Sequence, residues 1–272
     1  MFWYATAMAA PIQQLMLLNT KGDIMKKKPI IMGMLIVLLL TSAACERVKA
    51  MDTSYEIQTV GTPDRNEAGE IIGDCHYQKL AFTNPNKNLS KINAYIEQAC
   101  NTFFANGSGK DYQDYLAEVP AERLGELVDY PYKSTEDIEN VFLTDSYVSI
   151  QMKSFWYCGG VANTNYSGAS YDLKTGEPFK ISDLLSGSEE DILSTVKSVY
   201  WNALVDHYTY AGMFDSARDA LEKKTLSDYH FFVGEAGEIF FIADTYEFAP
   251  GAAGPYVFGS GLMVGDTCGG TS

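Results

Sequence analysis

Three histidines, His76, His207 and His230, are the first side chains to test for chemistry. None sits in an HExxH-type arrangement that would set two imidazoles on one helical face. Each reads as a packing or capping residue, and no metal is expected. Ser108 and Ser260 both lie in Gly-Ser-Gly, without the Gly-x-Ser-x-Gly elbow of a nucleophilic serine, so both read as turn residues. Gly107-Ser108-Gly109-Lys110 invites comparison with a phosphate loop. However, Phe104 occupies the first glycine position, and Asp111 stands where a hydroxyl should meet magnesium and would repel phosphate. Carboxylates are abundant, 35 in all, so chance pairs are expected. Spacing does not rank Glu177, Asp183, Asp244 or Glu247 as the two carboxyls of a glycosidase. Glu247 is distinctive only because it lies between Tyr246 and Phe248, and its plain role is to accept backbone amides in a loop. No residue is assigned to catalysis, and no cofactor is expected. Recognition is better represented. Phe155, Trp156, Tyr157, Tyr166 and Tyr171 gather around Gly159–Gly160, and aromatic rings with nearby amides suit sugar stacking or protein contact.

The elements that must position these residues centre on 146–185. Val148, Ile150 and Met152 alternate with Ser149, Gln151 and Lys153, the period-two pattern of a strand with one buried face. A second strand over 164–173 ends in Asp172-Leu173-Lys174-Thr175-Gly176, where Gly176 supplies a positive φ for the turn. Upstream, strands are expected over 54–60 and 71–82. A helix follows over 89–105 with Leu89, Ile92, Ile96, Ala99, Cys100 and Phe103 on one side and Asn88 as its cap. Residues 110–127 read as a second helix interrupted at Pro120. Strands are expected over 127–132, 138–143 and 147–157, consecutive and antiparallel. Downstream, Ser188 caps a helix over 189–207 whose first turn is acidic, as its dipole favours. Ile192, Val196, Val199, Tyr200, Ala203 and Leu204 form its buried stripe. A shorter helix over 213–223, a hairpin of 229–233 with 238–243, and a strand over 255–258 complete the series. The expected fold is α+β: antiparallel sheet with two main helices packed on one side, in two intimately packed subdomains, 54–132 and 133–258, followed by a Gly-rich tail over 259–272.

The run ending in Phe155-Trp156-Tyr157-Cys158-Gly159-Gly160, with Asn163 and Asn165, Tyr171-Asp172-Leu173-Lys174-Thr175-Gly176 and Asp183-Leu184-Leu185, resembles the RsiV-like extracytoplasmic domain. Phe231-Phe232-Val233-Gly234, Gly237-Glu238-Ile239-Phe240-Phe241, Tyr246-Glu247-Phe248-Ala249-Pro250 and Ala252-Ala253-Gly254-Pro255 extend the resemblance over roughly 55–255. That family forms the outer part of lysozyme-sensing anti-sigma factors and a non-catalytic module of a peptidoglycan deacetylase, and it occurs in envelope lipoproteins. The resemblance implies a two-part α+β fold and a binding role. On this reading the ligand-contacting set is Tyr157, Gly159, Gly160, Asn163, Asn165, Tyr246 and Glu247. The chain departs from the family at Ala162, where a histidine is usual, and in its tail.

Residues 1–44 read as a signal segment with the true start at Met25. Lys26-Lys27-Lys28 precede an apolar run over 29–40 and Thr41-Ser42-Ala43-Ala44-Cys45. The apolar run is shorter than the ~20 residues a spanning helix needs. Small residues before Cys45 point to lipidation of that sulfur, with 45–53 as a tether. Ser42 stands where such signals more often carry Leu, so simple cleavage is the alternative. Four further cysteines, Cys75, Cys100, Cys158 and Cys268, would form two disulfides in an exported chain, with Cys75–Cys100 slightly favoured and free buried thiols as the alternative. The net charge of −15 opposes binding to nucleic acid and would attract a basic partner.

The expected function is therefore a non-enzymatic exported lipoprotein, held at a membrane by its lipid. Its ligand would be peptidoglycan or a lysozyme-like protein. The alternatives are a carboxylate-based envelope glycan hydrolase and a structural or inhibitor-type lipoprotein with a protein partner.

Overall fold

The computed structural model describes residues 52–208 and 212–269 of the chain. The signal segment, Met25 and the lipidation candidate Cys45 lie outside the described residues, as does most of the tether. Among the described residues no helix is long and apolar enough to cross a membrane.

The fold is α+β, with a six-stranded sheet and a three-stranded sheet. Strands β1 (Tyr55–Val60), β3 (Ile71–Phe82), β4 (Tyr132–Leu143), β5 (Tyr147–Tyr157) and β6 (Asn163–Asp172) run in that spatial order, and short β2 (Pro63–Arg65) also pairs with β3. Strands β7 (His230–Val233), β8 (Glu238–Ala243) and β9 (Tyr256–Met263) form the smaller antiparallel sheet. Helix α1 spans Lys87–Asn106 and α2 spans Ser108–Ala117. The short α3 (Ile181–Leu184), long α4 (Glu189–His207) and α5 (Ala217–Lys223) follow.

The layers follow from alternation along β5. Val148, Ile150 and Met152 are buried on one face, which α1 covers. There Phe103 meets Tyr77 with ring centroids 5.5 Å apart, and the Asn93 side chain satisfies both the N–H and the C=O of Phe82. Ser149 points the other way and is fully buried. Its hydroxyl bonds Ser170 at 2.7 Å and accepts the amide of Val233 at 2.8 Å. A hydroxyl is needed here because β7 brings an unpaired donor into a dry interface, and a buried donor left unpaired is costly. The smaller sheet therefore packs on this second face, with Phe142 and Phe232 stacked across the junction. Helix α4 covers the smaller sheet in turn. Its Tyr200 lies among Tyr229, Phe241, Phe248 and Phe258 and donates to the Ile242 carbonyl at 2.7 Å.

Several local expectations are corrected. The strand read over 127–132 is strand only at Tyr132, and β4 runs unbroken from Tyr132 to Leu143, taking in the strand read over 138–143. Its beginning pairs in parallel with β3, and a bulge at Ile138–Asn140 interrupts its pairing with β5. The bulge breaks the alternation on which sequence reading relies. Residues 121–128 form a 3-10 helix instead. The cap of α1 is Asn86, whose side chain accepts the amides of Asn88 and Leu89. The tail is docked: β9 runs to Met263, and the Cys268 amide donates to Ser186 O at 2.7 Å.

The cysteines expected to form disulfides, Cys75, Cys100, Cys158 and Cys268, are free and buried. Cys75 and Cys158 belong to a core with Phe103 and Tyr112, whereas Cys268 lies in the core under α4. Cys158 and Cys268 are thus separated by the fold. The Cys75 thiol faces Gly109 O at 3.8 Å. An even count of cysteines does not bring their Cβ vectors together. Burial first, with nearby Asp64 and Asp74 adding to it, pushes the Cys75 thiol up to about 12; burial likewise pushes Cys158 up to about 11.

Where β3 and β4 run in parallel, His76 straps them together. Its Nδ1 lies 2.9 Å from Asp74 and its Nε2 3.0 Å from Asp137. Burial pulls the imidazole pKa down, but the two carboxylate hydrogen bonds raise it by more, so the net shift is upward. The raised group stabilises the fold fully below its unfolded pKa of about 6.5, and that contribution fades as pH rises through the folded value. Thermal melts of wild type and His76→Gln should therefore differ most near pH 6 and converge by pH 9. A gap that is constant or widens with pH would contradict the strap.

Candidate binding cleft

A cleft of about 510 Å³ opens between α1 and a face of the larger sheet. Tyr95, Gln98 and Thr102 line it from α1, Tyr77 and Glu136 from β3 and β4, and Ser167 and Tyr171 from β6. Phe103, Ser108 and Pro178 contribute further wall. The register explains the grouping. Tyr77 sits beside Glu136 across the parallel pair, and Glu136 lies opposite the small Ser154 of β5, leaving room above the strand.

The far wall is held by a docking of α1 onto the turn after β6. Gly176 adopts φ +75°, and a Cβ there would come within 2.4 Å of Asn88 O. The Asn88 side chain donates to Lys174 O. Lys91 and Tyr95 both donate to the Glu177 carboxylate at 2.7 Å and hold it below the usual carboxylate range. Tyr95 then lies over Tyr171, with ring centroids 6.1 Å apart and 25° between planes. Tyr171 is 6% exposed and Tyr95 37%, so one ring is a floor and the other a lip.

Glu136 is the electrostatic feature of the cleft. Its side chain makes no hydrogen bond or ion pair among the described residues, and no lysine, arginine or histidine lines the space around it. Burial, and secondarily the Asp137 carboxylate, push its carboxyl up to about 7. Burial also pushes Tyr171 up to about 12, so both tyrosine and carboxyl can donate hydrogen bonds near neutral pH. Tyrosine faces, hydroxyls, one amide and one such carboxyl make a surface that can stack and hydrogen-bond a polar ring compound.

The seven residues proposed from sequence lie elsewhere, and none lines this cleft. Tyr157 ends β5 and meets Tyr132 edge to face. Gly159 and Gly160 follow in an exposed turn with positive φ. Asn163 starts β6 opposite Trp156. Asn165 reaches the loop after β8, where its Oδ1 accepts the Thr245 amide at 3.0 Å, so it meets Tyr246 and Glu247 through that backbone. Tyr246 is exposed at φ +69°, its ring packed over Gly251 where any Cβ would clash. Glu247 is consumed by structure, since it accepts the Asp244 amide at 3.0 Å and pairs with Lys224. Lys224 in turn lies within 5.9 Å of the rings of Tyr200, Tyr229 and Phe248. The sequence reading missed Tyr77, Tyr95 and Glu136. They come from three separate elements, and no local spacing announces them.

No protein-family model matches this chain, and no curated protein matches it. Solved structures of the uncharacterised DUF3298 family are similar to it. One, from Bacteroides fragilis NCTC 9343, is 16% identical with a TM-score of 0.47, over 76% of this chain and 90% of that one. Another, from Pseudomonas aeruginosa PAO1, is 14% identical with a TM-score of 0.48, over 78% and 91% respectively.

Proposed function

We propose that this chain is the binding body of an exported lipoprotein, tethered through Cys45, and that its tyrosine cleft holds a glycan of the cell envelope such as peptidoglycan. The observation that carries this is the cleft itself: stacked Tyr95 and Tyr171, with Tyr77, Ser167 and Glu136 beside them. The resemblance to the RsiV-like domain supports the same binding role. It also keeps a lysozyme-like protein as an alternative partner, attracted by the acidic surface. Binding of that partner should weaken steeply with salt, whereas stacking of a neutral glycan should not.

Calorimetric titration of residues 52–272 with muropeptides and N-acetylglucosamine oligomers tests the proposal. Tyr171→Ala removes the floor ring and is expected to weaken binding about tenfold or more, since a lost stacking contact is worth about 1–3 kcal/mol. Absence of binding to every glycan at low and high salt would reject the cleft as a glycan site.

A second reading has one specific support. A carboxyl raised to about 7 stays partly protonated near neutral pH, the form a glycosidase acid requires. Turnover of a glycan by wild type, abolished in Glu136→Gln, would favour the hydrolase; binding without turnover favours the passive module.

A further inference from the structure

The cleft contains a carboxylate, Glu136, that no side chain among the described residues pairs with. Glu136 comes from the middle of a sheet face, beside Tyr77, in a space walled by Tyr95, Phe103 and Tyr171. Its neighbours offer hydroxyls and rings and no cation. Carboxylates on α1 and in the turn after β6 are served: Glu177 by Lys91 and Tyr95, and Glu97 by Lys79. Lys79 and Lys91 are thus both committed outside the cleft. Glu136 is half-buried, so its ionised carboxylate gives up part of its hydration with no cation in return, and aromatic faces attract a cation through their quadrupoles. An ammonium group would satisfy both at once: its charge would pair with the carboxylate while its flanks lie on the tyrosine rings.

We infer that the cleft recognises a ligand carrying an ammonium group, placed against Glu136 and caged by Tyr77, Tyr95 and Tyr171. This rests on the glycan reading above and narrows it. The ammonium could come from a sugar with a free amine or from a diamino-acid side chain in the peptide attached to the glycan, and the chemistry at Glu136 is the same for both. The raised carboxyl fits this assignment. A bound cation favours the ionised form, so it should draw the proton off Glu136, and affinity should rise with pH through neutrality. The titratable groups facing Glu136 are Tyr77 and Tyr171, both pushed upward chiefly by burial, Tyr95, pushed upward chiefly by its hydrogen bond to Glu177, and the Asp137 carboxylate from its own strand. None of the three tyrosines ionises in that range.

Three probes separate the possibilities, each titrated into residues 52–272 at pH 8 and 150 mM salt. They are a tetramer of N,N,N-trimethylglucosamine, an N-acetylated and C-amidated tripeptide containing ε-trimethyl-lysine, and the N-acetylglucosamine tetramer. The first two carry a fixed positive charge, so any pH dependence belongs to the protein. The expected result is that one or both cationic probes bind at least tenfold more tightly than the neutral tetramer; which one binds identifies the source. Their affinity should fall at pH 6, and Glu136→Gln should lose at least tenfold. Glu122→Gln, which removes an equal charge from an exposed position, should not. If the neutral tetramer binds as well as the cationic one, or if Glu136→Gln and Glu122→Gln behave alike, the ammonium assignment is wrong and the glycan cleft survives. If no probe binds, both readings fail together.

Discussion

Tyr200→Ala is expected to destabilise the protein by about 3–5 kcal/mol, the range for deleting a large buried aromatic side chain. The ring is fully buried at the centre of the α4 core. It touches Tyr229, Phe241, Phe248 and Phe258 at centroid separations of 5.0 to 5.8 Å. It is therefore the piece that joins α4, the smaller sheet and the loop bearing Phe248. Its hydroxyl also donates to Ile242 O at 2.7 Å. Burial first, with Glu247 and Asp244 adding to it, holds the phenol far above its ordinary pKa, so that donor is present at any working pH. Denaturant unfolding of wild type, Tyr200→Phe and Tyr200→Ala separates the two contributions. The phenylalanine variant should cost about 1–3 kcal/mol, for the lost bond and the stranded carbonyl. Since whole domains are stable by about 5–15 kcal/mol, the alanine variant should sit near the unfolding threshold. A Tyr200→Ala midpoint within error of wild type would show that α4 does not hold the smaller sheet in this way.

Gly168→Ala is the second large effect expected, about 3 kcal/mol or more, at or above the upper end for overpacking. An added Cβ would lie 2.1 Å from the carbonyl oxygen of Phe231. That atom is backbone of β7 and cannot rotate away. The glycine sits on the face of β6 turned toward the smaller sheet, one strand from Ser149, whose hydroxyl receives the Val233 amide. Pushing β7 outward would stretch that bond and the Phe142–Phe232 stack with it. The damage should therefore be cooperative across the junction. Amide hydrogen exchange gives a direct reading: protection at Val233 should drop in Gly168→Ala and also in Ser149→Ala. Unchanged protection at Val233 in the glycine variant would mean that the sheets have room between them.

Much of the framework was legible because its determinants are local. The acidic first turn and Ser188 fix the start of α4, and the structure places it over Glu189–His207 with Ser188 accepting the Asp191 amide. The turn before Glu177 was legible from Gly176, which does take a positive φ. The start of α1 was misread by two residues because Asn86 and Asn88 can both cap. Only the docking of Asn88 onto Lys174 O assigns the cap to Asn86. The first half of β4 went unread, because residues 133–137 are held as strand by pairing with β3 and β5, partners that no local pattern reveals.

The sequence by itself determined the α+β class, the positions of most strands and helices, and the acidic character of the chain, because periodicity, caps and composition act within a few residues. Only the tertiary structure decided that β3 and β4 run in parallel, that Cys75 and Cys158 lie in a different core from Cys268, and that Glu136 shares a cleft with Tyr77, Tyr95 and Tyr171. A carboxyl's burial and partners depend on which strands and helices become its neighbours, and those neighbours come from parts of the chain that no local pattern connects.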